Sequence, residues 1–340
     1  MTDEPKKPTK IILDCDGLLF TAASAGQQVY YTYSTPKGVP VAQFDSAKAG
    51  KNWLESVEFF GCDAEQGYEG DHSLLVRTVE YEIGSLKTAT DTFDRLLKEI
   101  LKEIPHKQWR GKVASKQGAR NHRMDKCSIV EYKGNRKNAG KPHYLEDVRR
   151  HALTYKQITK TIGIYESDDN VLSLAEKHGS DCMAIMWEKD VMVAKGTWLY
   201  APNLMKEPYY SQPDVIGELW IDHRGKIAGC GFLFCISQSV TGDTADHYKG
   251  LEGMGEKGAY ELLKQFSGKG WGVLEDAIHT VLEAFRKRYG ESYKYKHCMT
   301  GEDMDVTFRD VFIENLTLAY MIKDKDDAPH ESIRIARKYK

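Results

Sequence analysis

The stretch that most narrows what this chain can fold into is KIILDCDGLLF, Lys10 to Phe20. A short run of Ile and Leu, too brief for a buried helix, reads as a strand; it delivers Asp14 and Asp16 at its C-terminal end, and Gly17 with the apolar segment after it opens a helix. This is a βα start, and α/β proteins place their chemistry at the carboxyl ends of such strands. DCMAIMW (Asp181 to Trp187) repeats the pattern and ends in EKD, which carries Glu188 and Asp190.

The rest of the chain fits that frame. Residues 74–83 alternate in part and suggest a strand, and 217–221 suggest another. Asp91 to Ile104 has helical spacing at Phe93, Leu96, Leu97, Ile100 and Leu101. Pro142 opens a helix expected to run to about Ile162, as proline does in a first turn. YESDDNVLSLAEKHG reads as a helix begun by acids and closed at Gly179. Further helices are expected at 231–240, 256–266, 271–288 and 305–323. The alternation predicts an α/β fold with a mostly parallel central sheet flanked by helices, divided as an α/β domain over 1–230 and a helical domain over 231–340.

With 340 residues, 41% apolar and 29% charged, the composition is that of a globular protein. No apolar run approaches the ~18 residues of a membrane span, and MTDEPKKPTK is unlike a signal peptide, so no membrane partner and a cytoplasmic location are expected. Seven cysteines without C-x-x-C spacing argue against a disulfide framework or a thiolate zinc site. The net charge of −2 conceals a basic block: Lys107 to Lys160 holds fifteen Lys/Arg against four Asp/Glu. Such a block can neutralise several phosphates, although a charge run also suits a solvated helix face. Within it, residues 105–142 lose all periodicity and read as a long loop or arch over about 107–141.

Acids gather at four element ends: Asp14 and Asp16; Glu166, Asp168 and Asp169; Glu188 and Asp190; Asp243 and Asp246. Any one group is explained by the helix macrodipole. If the strands are neighbours, however, the first three converge on one sheet edge, and so many carboxylates cannot share a site without cations. Hard oxygen ligands without His or Cys point to two Mg²⁺ or Mn²⁺ ions about 4 Å apart. GDTADHYKGLEGMGEKG contains G-x-G-x-x-G at Gly253, Gly255 and Gly258, but no strand precedes it. A tight turn between helices, gripping a phosphate backbone through loop amides, fits better than a dinucleotide site.

Taken in order, ILDCDGLLF, YKGNR, ESDD, EKD and GDTADHYKGLEGMGEKGAYELL resemble the motifs of the 5′-nuclease family: flap endonucleases, the 5′-nuclease domain of bacterial DNA polymerase I, and above all bacteriophage 5′→3′ exonucleases. The similarity runs from about Lys10 to Phe266. It implies a PIN-like α/β nuclease with a helical arch and a helix-hairpin-helix over 242–266. Asp14, Glu166, Asp168 and Asp190 match metal ligands; Asp169, Asp243 and Asp246 match the second site or its surroundings, and Asp16 and Glu188 complete the acid set. Lys133 and Arg136 match arch residues that meet the scissile phosphate, and Arg123 a further basic, DNA-binding position. Gly253, Gly255 and Lys257 match a grip on duplex DNA, which in relatives holds K⁺.

The implied activity is Mg²⁺-dependent 5′→3′ exonuclease action on DNA with flap endonuclease activity. The implied setting is a monomer in phage DNA replication or degradation, acting at duplex ends, nicks and flaps beside replication proteins. Two departures stand out: the family usually has Asp where this chain has Glu188, and some relatives carry an acid just upstream of the arch, where VASKQGARNHR has none. A catalytically weakened module that grips branched DNA is the alternative reading.

Overall fold

The computed structural model describes residues 7–60, 72–103, 108–114, 121–136, 140–161, 165–321 and 330–339. The chain forms two compact units, one of Met1–Gly17, Ile104–Gly140 and Tyr155–Lys340, the other of Leu18–Glu103 and Lys141–Thr154.

The larger unit is built on a mixed, mostly parallel six-stranded sheet. Its strand order is Ile158–Lys160, Gln108–Val113, Lys10–Asp14, Cys182–Ile185, Trp198–Tyr200 and Tyr209–Tyr210. All neighbours run parallel except the last pair. Ile11, Ile12 and Leu13 are buried, as a parallel strand covered on both faces must be. Gly111 is required opposite them: a Cβ there would stand 2.6 Å from Cys15 Sγ and 2.9 Å from Ile158 Cγ1. Helix Ser167–His178 lies on the central strands through Val171, Leu172 and Ala175, which brings its N-terminus to the edge where those strands end.

Helix Gly231–Thr241 (GFLFCISQSVT) is apolar on nearly every side, and the structure buries it accordingly, against the hairpin of Gly217–Ile221 with Ile227–Cys230 and against helices Glu256–Leu263 and Phe308–Ala319. Helix Leu274–Tyr289 is one-sided instead. It presents Ile278, Val281, Leu282 and Phe285 to that core, each burial contributing about 1.5–3 kcal/mol. One apolar core therefore runs from Ile12 to Ala336. For this reason the chain does not part at residue 230, where a domain boundary was expected: the C-terminal helices share the sheet's core, and the second unit is made of two segments, Leu18–Glu103 after the first strand and Lys141–Thr154 before Ile158–Lys160.

That smaller unit holds an antiparallel sheet with Gln27–Ser34 between Pro40–Phe44 and Val76–Ile83, covered at one end by Tyr33, Phe44 and Trp53. Helices Leu86–Glu103 and Leu145–Ala152 pack together, with Phe93 edge-on to His151 and His151 Nε2 2.6 Å from Asp94 Oδ1. The helix expected from Pro142 to Ile162 is shorter than its sequence suggests. It ends at Ala152, and Ile158 and Thr159 leave it to pair with Gly111 and Lys112, where β-branched residues are at home. Of the basic stretch 107–141, Gln108–Val113 is a sheet strand, and His122–Asp125 and Gly134–Arg136 are 3-10 turns. Residues 107, 115–120 and 137–139 lie outside the described residues, as do 162–164 at the end of the expected helix and Ile104 at the end of another. Among the described residues no helix is long and apolar enough to cross a membrane.

Candidate metal centre

The acid groups meet at the carboxyl edge of the parallel sheet, all within the larger unit. Asp14 is the last residue of its strand and is buried. Its Oδ1 accepts from Ser167 Oγ at 2.6 Å and from the backbone N–H of Asp16 at 3.0 Å. Burial, followed by the charge of Asp16, pushes its pKa up to about 7, with Glu188 adding to the rise and the two hydrogen bonds opposing it. Both oxygens of Asp16 accept from the backbone N–H of Ala114 at 3.1 Å. Asp16 thus sets a carboxylate at the end of the neighbouring strand, where the stretch from Val113 to Arg123 has no acid of its own.

Helix Ser167–His178 supplies the next three. Glu166 is its N-cap and forms a reciprocal capping box with Asp169, whose side chain accepts from the Glu166 N–H at 3.1 Å. Carboxylate oxygens of Glu166, Asp168 and Asp169 lie within 4.8 Å of one another, the one cluster of this kind found among the described residues. They differ in their partners. Glu166 faces Lys133 Nζ at 2.5 Å and Arg123 Nη1 at 2.6 Å. Burial pushes its pKa up, but Lys133 and Arg123 prevail and hold it at about 2. Asp169 is 1% exposed, and Arg123 meets both of its oxygens, at 2.7 and 3.2 Å. Asp168 makes no ion pair among the described residues; burial, then Glu166 and Asp169, raise its pKa.

Asp190 is 8% exposed in the 3-10 turn Lys189–Val193 after strand Cys182–Ile185, and its Oδ1 accepts from Gln238 Nε2 at 3.0 Å. Glu188, one residue beyond Trp187, is an exposed side chain. Loss of water within the concavity and then the charges of Asp190 and Asp246 raise its pKa. Beyond helix Gly231–Thr241, Asp243 accepts from Lys189 Nζ at 2.7 Å and from the N–H groups of Ala245 and Asp246. Asp246 takes the Tyr132 hydroxyl at 2.7 Å and Arg136 Nη2 at 2.9 Å. Burial raises the pKa of Asp246 while Lys133 opposes it.

Nine carboxyl groups thus face four cations, Arg123, Lys133, Arg136 and Lys189, an excess of five negative charges when all nine are ionised. Water does not screen the buried ones, so the arrangement is costly until a cation joins it. An Asp14 carboxyl raised to about 7 and a raised Asp168 are what an all-oxygen donor set shows before its metal is counted. Hard, octahedral Mg²⁺ or Mn²⁺ fits this set, with Asp14, Glu166, Asp168 and Asp190 as candidate ligands.

One basic residue expected to meet DNA holds another post. Arg123 is 0% exposed, and its guanidinium is taken by Glu166, Asp169, the Tyr320 carbonyl at 2.8 Å and Met321 sulfur. A side chain so enclosed cannot reach a DNA phosphate, which corrects its reading as a DNA contact: it positions carboxylates. Lys133, in the left-handed conformation at φ 56, ties Glu166 to Asp246, whose Oδ1 is 3.7 Å away. A lysine there stores roughly 1–3 kcal/mol of strain, of the kind found at functional sites. Arg136 is exposed at the rim. Gly253, at φ +83, and Gly255, capping helix Glu256–Leu263, have open space around them, and Lys257 is exposed on that helix. Between helix Gly231–Thr241 and this loop the chain runs through turns rather than a strand, so the dinucleotide geometry is missing. Sequence reading passed over Tyr132, Ser167, Lys189 and Gln238. Tyr132, Ser167 and Lys189 lie inside quoted motifs, whereas nothing local marks Gln238.

No protein-family model matches the chain. It is 29% identical over 163 residues to the thermostable DNA polymerase I of Thermus aquaticus, covering 42% of this chain and 17% of that one. It is 29% identical over 189 residues to the DNA polymerase I of Bacillus subtilis, covering 50% and 18%. The chain therefore spans under a fifth of the length of these relatives. Similar solved structures include the T5 D15 protein co-crystallised with metal ions (12% identity, TM-score 0.45, covering 92% of this chain and 90% of that one). They also include the catalytic core of Rad2 with a DNA substrate (12%, 0.37, 83% and 68%). Over up to half its own length the chain is thus similar in sequence to DNA polymerase I, a likeness that supports a member of the 5′-nuclease family.

Proposed function

We propose that this chain hydrolyses DNA phosphodiesters from the 5′ end, using two divalent cations, Mg²⁺ or Mn²⁺, held by the acid cage. The observation that carries the reading is the excess of five negative charges at one sheet edge, with Asp14 raised to about 7. Two such ions would supply an activated water and stabilise the leaving oxygen. The chain's own residues do the rest. Asp14, Glu166, Asp168 and Asp190 hold the ions; Asp16, Glu188, Asp243 and Asp246 surround them. Arg123 and Ser167 fix the carboxylates from behind. Lys133, between Glu166 and Asp246, and Arg136, on the open side, offset charge on the reacting phosphate. No side chain is placed as a covalent nucleophile, and no recognition helix reads bases, so selectivity rests on backbone and end shape.

The loop at Gly253 and Gly255 with Lys257 is the proposed grip on duplex DNA, with K⁺ a candidate ion there. Duplex 5′ ends, nicks and flaps are the proposed substrates, and a monomer in phage DNA replication, within the host cytoplasm, is the proposed setting. The test is release of label from 5′-labelled blunt, nicked and flapped duplexes with Mg²⁺. Asp168→Ala is expected to abolish cleavage while leaving DNA binding intact. Cleavage at the wild-type rate in excess chelator would overturn the reading, and binding without any cleavage would favour the branched-DNA module.

A further inference from the structure

Against the acid cage lies a cavity of about 990 Å³, walled entirely by the larger unit. Glu188, Lys189 and Asp243 form one side of it, so it opens onto the place where a reacting phosphate would sit. The other walls are of a different character. Trp187 follows the strand Cys182–Ile185 and packs over Gly17, where an added Cβ would meet Trp187 Cβ at 3.1 Å. Trp220 stands on the Gly217–Ile221 strand. Its neighbour Leu219 faces the core, so strand alternation turns the indole to the cavity side, 40% exposed. Phe234 and Met192 supply an apolar floor.

The mouth is basic. Lys249 is exposed there, and His247 sits at φ 61, its Nδ1 3.0 Å from the Glu131 carbonyl. The acids of the rim are already engaged: Asp222 with Arg224 at 3.0 Å, and Glu256 with Lys226 at 3.1 Å and the Ile227 N–H at 2.9 Å. A volume in the ~300–1,000 Å³ range of small-ligand sites, with two indoles, an apolar floor and Lys249 at the mouth, suits an aromatic base carrying a phosphate.

We propose that this cavity takes one unstacked nucleotide, its base against Trp220 and Trp187 and its phosphate toward Lys249. Base stacking on an indole is tolerant of sequence, as a nuclease without base reading requires. The inference rests on the hydrolytic reading for the origin of the nucleotide, which is either the last unit of the strand still attached or the unit just released. The chemistry is the same in both cases.

The experiment is calorimetric titration of the full chain in EDTA, where nothing is cut, with thymidine 5′-monophosphate, 5′-phosphorylated tetrathymidylate and a blunt duplex. Trp220→Ala is expected to weaken tetrathymidylate about tenfold, Trp220→Phe to recover most of that loss, and duplex affinity to stay unchanged, which also reports correct folding. A Trp220-dependent monophosphate titration assigns the cavity to the released unit; Trp220 dependence for tetrathymidylate alone assigns it to the attached strand. Equal affinities of wild type and Trp220→Ala for both ligands would overturn the proposal. Cleavage with Mg²⁺ is measured separately: a protein that binds tetrathymidylate through Trp220 but cuts no DNA keeps the cavity and loses the nuclease.

Discussion

The guanidinium of Arg123 holds Asp169 at 2.7 Å with neither side chain more than 1% exposed, so the most enclosed ion pair of the described site is a support rather than a substrate contact. Removing one partner strands the other charge away from water, which costs about 3–5 kcal/mol. Arg123→Ala is therefore expected to lower the unfolding midpoint sharply, and to do so with or without DNA. Arg123→Lys keeps the charge but not the two-pronged geometry and should recover only part of it. Thermal unfolding of both variants checks this. A stable Arg123→Ala protein with weakened DNA binding would return the residue to the DNA surface.

The exposed and enclosed cations should separate by kinetics. Lys133 lies between Glu166 and Asp246, inside the cage, whereas Lys257 is exposed beside an open glycine loop. Lys133→Ala and Arg136→Ala are expected to lower the cleavage rate at saturating DNA by at least about tenfold with affinity little changed. Lys257→Ala should weaken binding and reduce the slope of affinity against salt by about one phosphate contact. Single-turnover rates alongside binding isotherms at several salt concentrations distinguish the two. An effect of Lys133→Ala on affinity alone would remove it from the chemistry.

How much of this was legible beforehand follows from the range of the interactions involved. The acids were readable because each group sits at an element end that its own neighbours define: Ile11–Leu13 before Asp14, the helix pattern after Glu166. The second unit was readable in part, at strand Val76–Ile83 and helix Leu86–Glu103. Its strand Gln27–Ser34 is polar and half-exposed, leaving no buried face for alternation to mark. The end of the helix at Ala152 depends on Ile158 pairing with Gly111, a partner 47 residues away that no local pattern contains. The role of Arg123 was hidden for the same reason, since its enclosure comes from Tyr320 and Met321 at the far end of the chain.

The metal-free protein should carry a pH signature. Asp14 is raised from 3.8 to about 7, so the folded state binds its proton more tightly than the unfolded state does. That contribution is fully present below pH ~4 and is lost as pH rises to about 7. Glu166, held at about 2, acts in the opposite sense: its contribution is present above its unfolded pKa of 4.5 and is lost as pH falls toward 2. In EDTA, stability is thus expected to decline between pH 5 and 7.5, and Asp14→Asn to flatten that decline. Added Mg²⁺ should raise the unfolding midpoint more at pH 7.5 than at pH 5, because metal and proton compete for the same carboxylate. Differential scanning fluorimetry across pH, with and without Mg²⁺, reads both effects. A Mg²⁺ shift independent of pH would take Asp14 out of the ligand set.

Glu188 and Asp190 should differ in consequence although they share one turn. Asp190 is 8% exposed and fixed by Gln238 at 3.0 Å, a short side chain presented in a single geometry. Glu188 is exposed, one methylene longer, and costs more rotamer freedom to hold. Mg²⁺ demands near-octahedral geometry and keeps several waters, so the fixed acid suits direct ligation and the longer one suits a contact through water. Asp190→Asn is therefore expected to cost at least about a hundredfold in cleavage rate, and Glu188→Gln about tenfold or less, with a higher Mg²⁺ requirement. Gln238→Ala, which loosens Asp190 without removing it, should fall between them. Rates for all three across Mg²⁺ concentrations decide the order. A larger loss for Glu188→Gln than for Asp190→Asn would make Glu188 the direct ligand, and an unchanged rate would place it outside the centre.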